Sequence, residues 1–442
     1  MTCTPLFRQS WSAMVCRIAI RCADLSYQCH DMQFRETQGM TDRDVLIVGG
    51  GIGGVTAALC LAREGFNARV FEQAPEFGEV GAGIQLAPNC TRVLHALGLE
   101  EALRRVAFLP EGGEMRAWDS GKVISYSPLG QQIVDTYGFP YYHVHRADVM
   151  QVLVDAANAE PNIELLADSR IEHIERRDDG VTLDVGGRRY DGSLLIGADG
   201  IHSVVRAELF GPETPTFTGT VAWRALVPAD QLPDGLVRPV ASAWWGPRKH
   251  FVHYYVRSGE LVNCVCVVEK EGWEVESWNE RGDRTELKQD FAGWHETIQV
   301  LIDNMDPNAC FKWALFDRPP MSRWSDGRVT LLGDACHPTL PFMAQGAAMA
   351  IEDGAVLAGC IARHNDMAAS LQQYESLRQV RTAGVQNGSR RNARVFHMSG
   401  VKAWLRNRAI GKRPSAVMGR LYRYNALDVG RQNPADQPGD RA

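Results

Sequence analysis

The feature that most constrains this chain is the run from Val45 to Gln73, VLIVGGGIGGVTAALCLAREGFNARVFEQ. Four apolar residues enter a glycine cluster, a segment with helical apolar spacing follows and closes at Gly65, and a second apolar run stops on Glu72. The order is therefore strand, glycine turn, helix, strand. Within the cluster the G-x-G-x-x-G spacing falls on Gly49, Gly51 and Gly54. The first glycine permits a tight turn, the second lets backbone approach a pyrophosphate, and the third lets helix and strand pack closely. The helix start offers free N–H groups and a positive dipole end to phosphates. Glu72 stands where a carboxylate accepts hydrogen bonds from ribose hydroxyls. The loop reads as a cradle for an ADP moiety, with FAD and NAD both open at this point.

Bulk properties narrow the rest. At 442 residues the chain is long enough for two or three cores, and 45% hydrophobic with 23% charged residues is ordinary for a globular protein. A net charge of −6 gives no basic footprint, so nucleic acid is not expected as a partner. No apolar run reaches the roughly 18 residues of a membrane-spanning helix. Of eleven cysteines none forms a C-x-x-C pair, and Cys264 and Cys266 alternate on one face of an apolar run. No metal site is expected, and a reducing cytoplasm fits best. Residues 1–39 lack a clear period and precede Met40, which opens directly onto the first strand. They are expected to be a disordered extension, with a targeting segment as the alternative; Arg17 and Arg21 interrupt any secretory signal.

Along the chain, TRVLHALG and HRADVMQVLVDAANA read as helices, and residues 163–200 as several strands with turns at Asp-Gly and Gly-Gly. Residues 219–314 change character, with many tryptophans and strands such as FVHYYV and LVNCVCVVE. A long helix of small residues is expected from about Ala344 to Arg363.

Two further motifs point to the cofactor. LLIGADGIHSVVR places Asp199-Gly200 after an apolar strand, and GRVTLLGDACHP places Gly333-Asp334 after another. Together with the opening fingerprint and HRADV, they resemble the group A flavoprotein monooxygenases, the aromatic-ring hydroxylases, from Met40 to about residue 390. The resemblance implies an α/β fold of the p-hydroxybenzoate hydroxylase kind: a Rossmann-like FAD-binding domain (40–115, 143–218, 315–390) interleaved with a β-sheet substrate domain (116–142, 219–314), then a helical tail (391–442). It implies that Gly49, Gly51, Gly53, Gly54, Glu72, Gln73, Gly83 and Ile171 hold the adenosine and pyrophosphate side of FAD together with Arg146. Asp334 would bond the ribityl chain, and Asp199-Gly200 would help place FAD and the incoming nicotinamide. Gly346 and Ala347 open a helix whose small residues permit close approach to the flavin and whose dipole stabilises negative charge on the reduced ring.

No second G-x-G-x-x-G follows residue 200, no C-x4-C pair is present, and the W-x-W-x-I-P signature of flavin halogenases is absent. The family chemistry left is reduction of FAD by NADH or NADPH, reaction with O2, and transfer of one oxygen atom to an electron-rich ring. Such a transfer needs a dry pocket, a base for the phenol and anchors for the substrate. In SAWWGPRKHFVHYYV, Trp244 and Trp245 offer apolar walls, and His250 and Tyr254 share one face of a strand while His253 takes the other. The resemblance gives His250 and Tyr254 functional roles; read from the residues alone, His250 is equally a structural histidine. His337 belongs to the flavin-loop motif and is not read as a base. Gln85 and Phe342 stand where 6-hydroxynicotinate enzymes carry histidine. That favours a hydroxybenzoate, salicylate or 3-hydroxybenzoate, over a hydroxypyridine acid. A heteroaromatic acid and a non-oxygenating flavoprotein dehydrogenase are the alternatives. A homodimer completes the expectation.

Overall fold

The structure is a computed structural model that describes residues 41–78, 82–270, 272, 280–364, 366–410 and 416–431. The expected disorder of residues 1–39 concerns a segment outside the described residues. The glycine-rich opening folds as read: strand β1 (Asp44–Val48), helix α1 (Ile52–Arg63) and strand β2 (Asn67–Phe71), with β1 and β2 parallel. They belong to a six-stranded sheet whose spatial order is Ser325–Asp326, Val329–Leu331, Leu194–Gly197, β1, β2, Ile163–Leu166. Its neighbours are parallel except at the short Ser325–Asp326 edge. The middle strands read as unbroken apolar runs because both faces are covered. Helix α2 (Gly346–Ile361) packs on α1, where Gly354 lets the backbones close on each other. A three-stranded antiparallel sheet (residues 171–192) sets Tyr190 against Phe71, their rings 5.0 Å apart.

A second, seven-stranded sheet runs Phe311–Asp317, Thr216–Pro228, Leu261–Glu269, Lys249–Val256, Val240–Gly246, Gly112–Ala117, Val123–Pro128. All its pairings are antiparallel except that between Val240–Gly246 and Gly112–Ala117. The expected breaks at 115/116, 218/219 and 314/315 each fall inside one of these strands, so the sheet takes a few residues that the expectation gave to the cofactor domain. Period-2 alternation divides its faces. Trp223, Trp244, Phe251, Cys264 and Cys266 point to a core shared with the helices Arg284–Asp290 and Glu296–Asp303. Arg224, His250, Val252, Tyr254 and Val265 point the other way, toward the first sheet. The long helix α3 (Met367–Phe396) lies beside α2, and no helix among the described residues is long and apolar enough to cross a membrane.

Candidate active site

A cavity of about 660 Å³ runs from the glycine turn after β1 to the inner face of the seven-stranded sheet. At its first end Gly49 adopts φ +106°, and a Cβ there would sit 2.4 Å from the Ala198 carbonyl oxygen. A Cβ on Gly54 would lie 2.0 Å from the Gly49 carbonyl oxygen, which is the close helix-to-strand contact that the third glycine serves. The first turn of α1 has neither a side-chain cap nor an acidic residue, so its N–H groups and dipole act uncancelled on the cavity. Glu72 accepts hydrogen bonds from the Gly50 N–H (2.8 Å) and the Ala74 N–H (2.9 Å), which fix its carboxylate at the wall beside Gln73 and Ile171.

Midway, Asp334 is open to the cavity yet ringed by protein. That burial pushes its carboxyl upward, opposed by His337 and Arg146. Arg146 lines the same wall, its guanidinium pulled down by burial and supported by Asp334. Asp199 Oδ2 accepts from the N–H groups of Val204 (2.7 Å) and Val205 (3.2 Å), while its buried Oδ1 has no partner among the described residues. Gly346, Ala347 and Ala350 bring the start of α2 to the wall, and Gly200 and Gly83 complete this section.

The far end is built on the sheet. His250 is only 2% exposed; burial, then His397, hold its imidazole well below the usual range. Tyr254 lies two residues beyond Val252 on the same face, and burial raises its phenol against the pull of Arg224, so it is a hydrogen-bond donor at neutral pH. Arg224, two strands away on Thr216–Pro228, is lowered by burial to about 10 and stays charged, 4.4 Å above the Trp313 ring. Phe342 meets His250 edge-on at 5.1 Å, and Gln85 accepts a 2.6 Å bond from the Tyr141 hydroxyl.

The residues named from the sequence as cofactor-binding or catalytic line this cavity, apart from Gly54, whose task is packing. The two tryptophans are a correction. Trp244 faces the second core and donates to His253 Nε2 (3.0 Å), and Trp245 stacks on Phe396 at 4.5 Å, so neither walls the cavity. Strand alternation separates two faces but does not say what covers each. The apolar wall comes instead from Ile84, Val252, Val265, Leu332, Pro341 and Phe342. Arg224 was missed; its signal was a lone arginine inside the apolar alternation TVAWRALV.

The glycine cradle, the unpartnered Asp199 oxygen and a cavity running on to an aromatic-lined sheet fit an elongated dinucleotide carrying a flat ring. The family model described as "FAD binding domain" matches residues 42–389. The chain belongs to this FAD-binding-domain family. Among its relatives, 3-hydroxybenzoate 6-hydroxylase of Polaromonas naphthalenivorans (strain CJ2) is 40% identical over 369 residues, covering 83% of this chain and 91% of that protein. 6-Hydroxynicotinate 3-monooxygenase of Pseudomonas fluorescens is 40% identical over 357 residues, covering 79% and 90%. The crystal structure of Klebsiella pneumoniae HpxO with FAD and uric acid superposes with a TM-score of 0.76 at 26% identity, covering 89% of this chain and 97% of that one. The FAD-binding-domain family thus fixes the cofactor as FAD, and its relatives place the chain among the group A flavoprotein monooxygenases.

Proposed function

We propose that this FAD-dependent monooxygenase uses NADH or NADPH and O2 to hydroxylate a small hydroxybenzoate, salicylate or 3-hydroxybenzoate. The observation that carries the reading is the grouping of Arg224, His250 and Tyr254 on the sheet face opposite the glycine cradle, with Phe342 against His250. A charged guanidinium suits a carboxylate, a neutral imidazole suits a phenolic proton, and a phenol donor suits the oxygen that the proton leaves. Bound FAD supplies the passage of two electrons from the nicotinamide to O2 and the delivery of one oxygen atom to the ring.

The chain's own residues do the rest. Glu72, Arg146, Asp199 and Asp334 hold the cofactor's polar length. The N-terminus of α2 stabilises negative charge near its residues Gly346 and Ala347. Arg224 anchors the acid, and His250 removes the phenolic proton, which raises electron density on the ring. Val252, Val265, Pro341 and Phe342 exclude water from the point of transfer.

A 6-hydroxynicotinate reading has the support of a relative at the same 40% identity. Against it, Phe342 and the Tyr141-bound Gln85 offer no imidazole at the two positions noted above. We place the enzyme in a reducing cytoplasm, in keeping with the free, buried cysteines of the described residues, and we read it as a homodimer, which light scattering checks. The functional test is oxygen uptake by the purified yellow protein with NADH while phenolic acids are added one at a time. Acceleration by a hydroxybenzoate supports the reading; steady oxidation indifferent to every acid defeats it.

A further inference from the structure

Behind His250 the structure continues as a chain of hydrogen bonds that leaves the cavity. His250 Nδ1 lies 2.8 Å from Nε2 of His397, the residue that follows α3. His397 Nδ1 lies 2.7 Å from Oε1 of Glu269, at the end of the Leu261–Glu269 strand. The two imidazoles are buried, whereas the Glu269 side chain is 36% exposed. Two paired strands and the end of a helix far along the chain thus meet in a line from cavity to solvent.

The line has one consistent set of protons. An ionised carboxylate only accepts, so Glu269 requires the proton of His397 on Nδ1. His397 Nε2 is then a lone pair, so His250 must carry its proton on Nδ1. That leaves His250 Nε2 bare, and it is the ring nitrogen not already engaged by His397. The surroundings close other exits: Phe342 and Phe396 stand edge-on to the His250 ring at 5.1 and 5.4 Å. Two other charges face the line. Arg248 pairs with Glu269 at 3.2 Å, and Arg406 donates to the carbonyls of Val395 and Phe396 beside His397.

We infer that His397 and Glu269 are positioning residues that carry the proton taken by His250 out to solvent. This rests on the proposed role of His250 in phenol activation. A phenolic O–H bond breaks and its proton joins His250 Nε2. The Nδ1 proton of His250 passes to His397 Nε2, the Nδ1 proton of His397 passes to Glu269, and Glu269 releases it to water. No electrons leave the line, and a phenolate remains. Burial makes a lone imidazolium at His250 costly, and the relay removes the need for one to persist.

The test uses FAD-loaded full-length enzyme and 3-hydroxybenzoate or salicylate, whichever accelerates NADH oxidation. Proton release on binding is followed with an indicator dye in weak buffer, alongside anaerobic flavin reduction and product formed per NADH. In His397→Ala and Glu269→Gln, FAD content and the reduction rate are expected to stay within about twofold. Proton release is expected to slow roughly 100-fold, the low end of what a lost acid–base group costs. Added imidazole restores release and coupling in His397→Ala, which a merely structural role would not allow. If His397→Ala fails to retain FAD, Glu269→Gln decides. Unchanged release and coupling in the variants, with His250→Ala still uncoupled, overturns the relay and leaves the function standing. Absence of hydroxylated product from wild type with either acid overturns both.

Discussion

At the scale of single residues the proposed roles of His250, Tyr254, Arg224 and Glu72 are separable by substitution. His250→Ala leaves the cofactor wall intact, so it is expected to bind FAD and oxidise NADH while releasing hydrogen peroxide in place of product, with hydroxylation down about 100- to 10,000-fold. Tyr254→Phe loses one donor and is expected to cost roughly fivefold, in keeping with about 1 kcal/mol per hydrogen bond. Product and peroxide per NADH separate the two. Arg224→Gln is expected to raise the KM for an aromatic acid far more than for its uncharged amide, a difference that vanishes if the guanidinium serves only to stack on Trp313. Glu72→Ala removes the acceptor of the Gly50 and Ala74 N–H groups. A charge-assisted bond contributes roughly 1.5–3 kcal/mol, so FAD affinity measured by flavin fluorescence should fall about 10- to 150-fold. Residues whose task is local were readable from the sequence: the glycine spacing states its geometry within six positions, and alternation puts His250 with Tyr254. Arg224 and His397 were not, because their roles arise from strand register and from a helix end packed against a strand 128 residues earlier in the chain.

Between elements, the loop carrying Asp334 is tied to α2 and α3 by a buried charge cluster. Asp353 on α2 accepts from the Gly333 N–H (3.0 Å) and from Arg378 Nε of α3 (2.7 Å), and it meets His337 at 2.6 Å. Glu352 completes the cluster with Arg378 at 2.8 Å and Arg381 at 2.6 Å. Removing one member of such a cluster leaves uncompensated charge, so Arg378→Leu is expected to lose roughly 3–5 kcal/mol and to loosen FAD through the Gly333-Asp334 turn. Burial alone would raise Asp353; His337, Arg378 and the Gly333 N–H outweigh it and hold the carboxyl at about 2, below the ordinary 3.8. A depressed folded-state pKa stabilises above the unfolded value, so this contribution is complete above about pH 4 and is lost as pH falls toward 2. Thermal unfolding of the holoenzyme across that range should show the loss, and Asp353→Asn should be less stable at neutral pH with a flatter acid limb. The sequence marked α2 through its small residues, but nothing local in GAAMAIEDGAV paired its two acids with arginines of the next helix.

For the whole molecule, the sheet order explains why one chain carries both tasks. Loops at one end of the parallel strands cradle a dinucleotide, and the inner face of the second sheet closes the far end of the same cavity. The family match begins at residue 42, and residues from Thr41 onward cluster as one unit, so a chain starting at Met40 is expected to keep its flavin and its activity. Loss of soluble flavoprotein on that truncation would contradict this. The proposed function requires oxygen transfer to a hydroxybenzoate. Its most direct measurement is turnover of the FAD-loaded enzyme under oxygen-18 gas with NADH or NADPH and, in parallel, 3-hydroxybenzoate, salicylate and 6-hydroxynicotinate, with products identified by mass. One labelled oxygen atom is expected in a dihydroxylated product from a hydroxybenzoate, formed in near-equal amount to the nicotinamide oxidised. Labelled product from 6-hydroxynicotinate alone, or nicotinamide oxidation with no labelled ring from any acid, would contradict it.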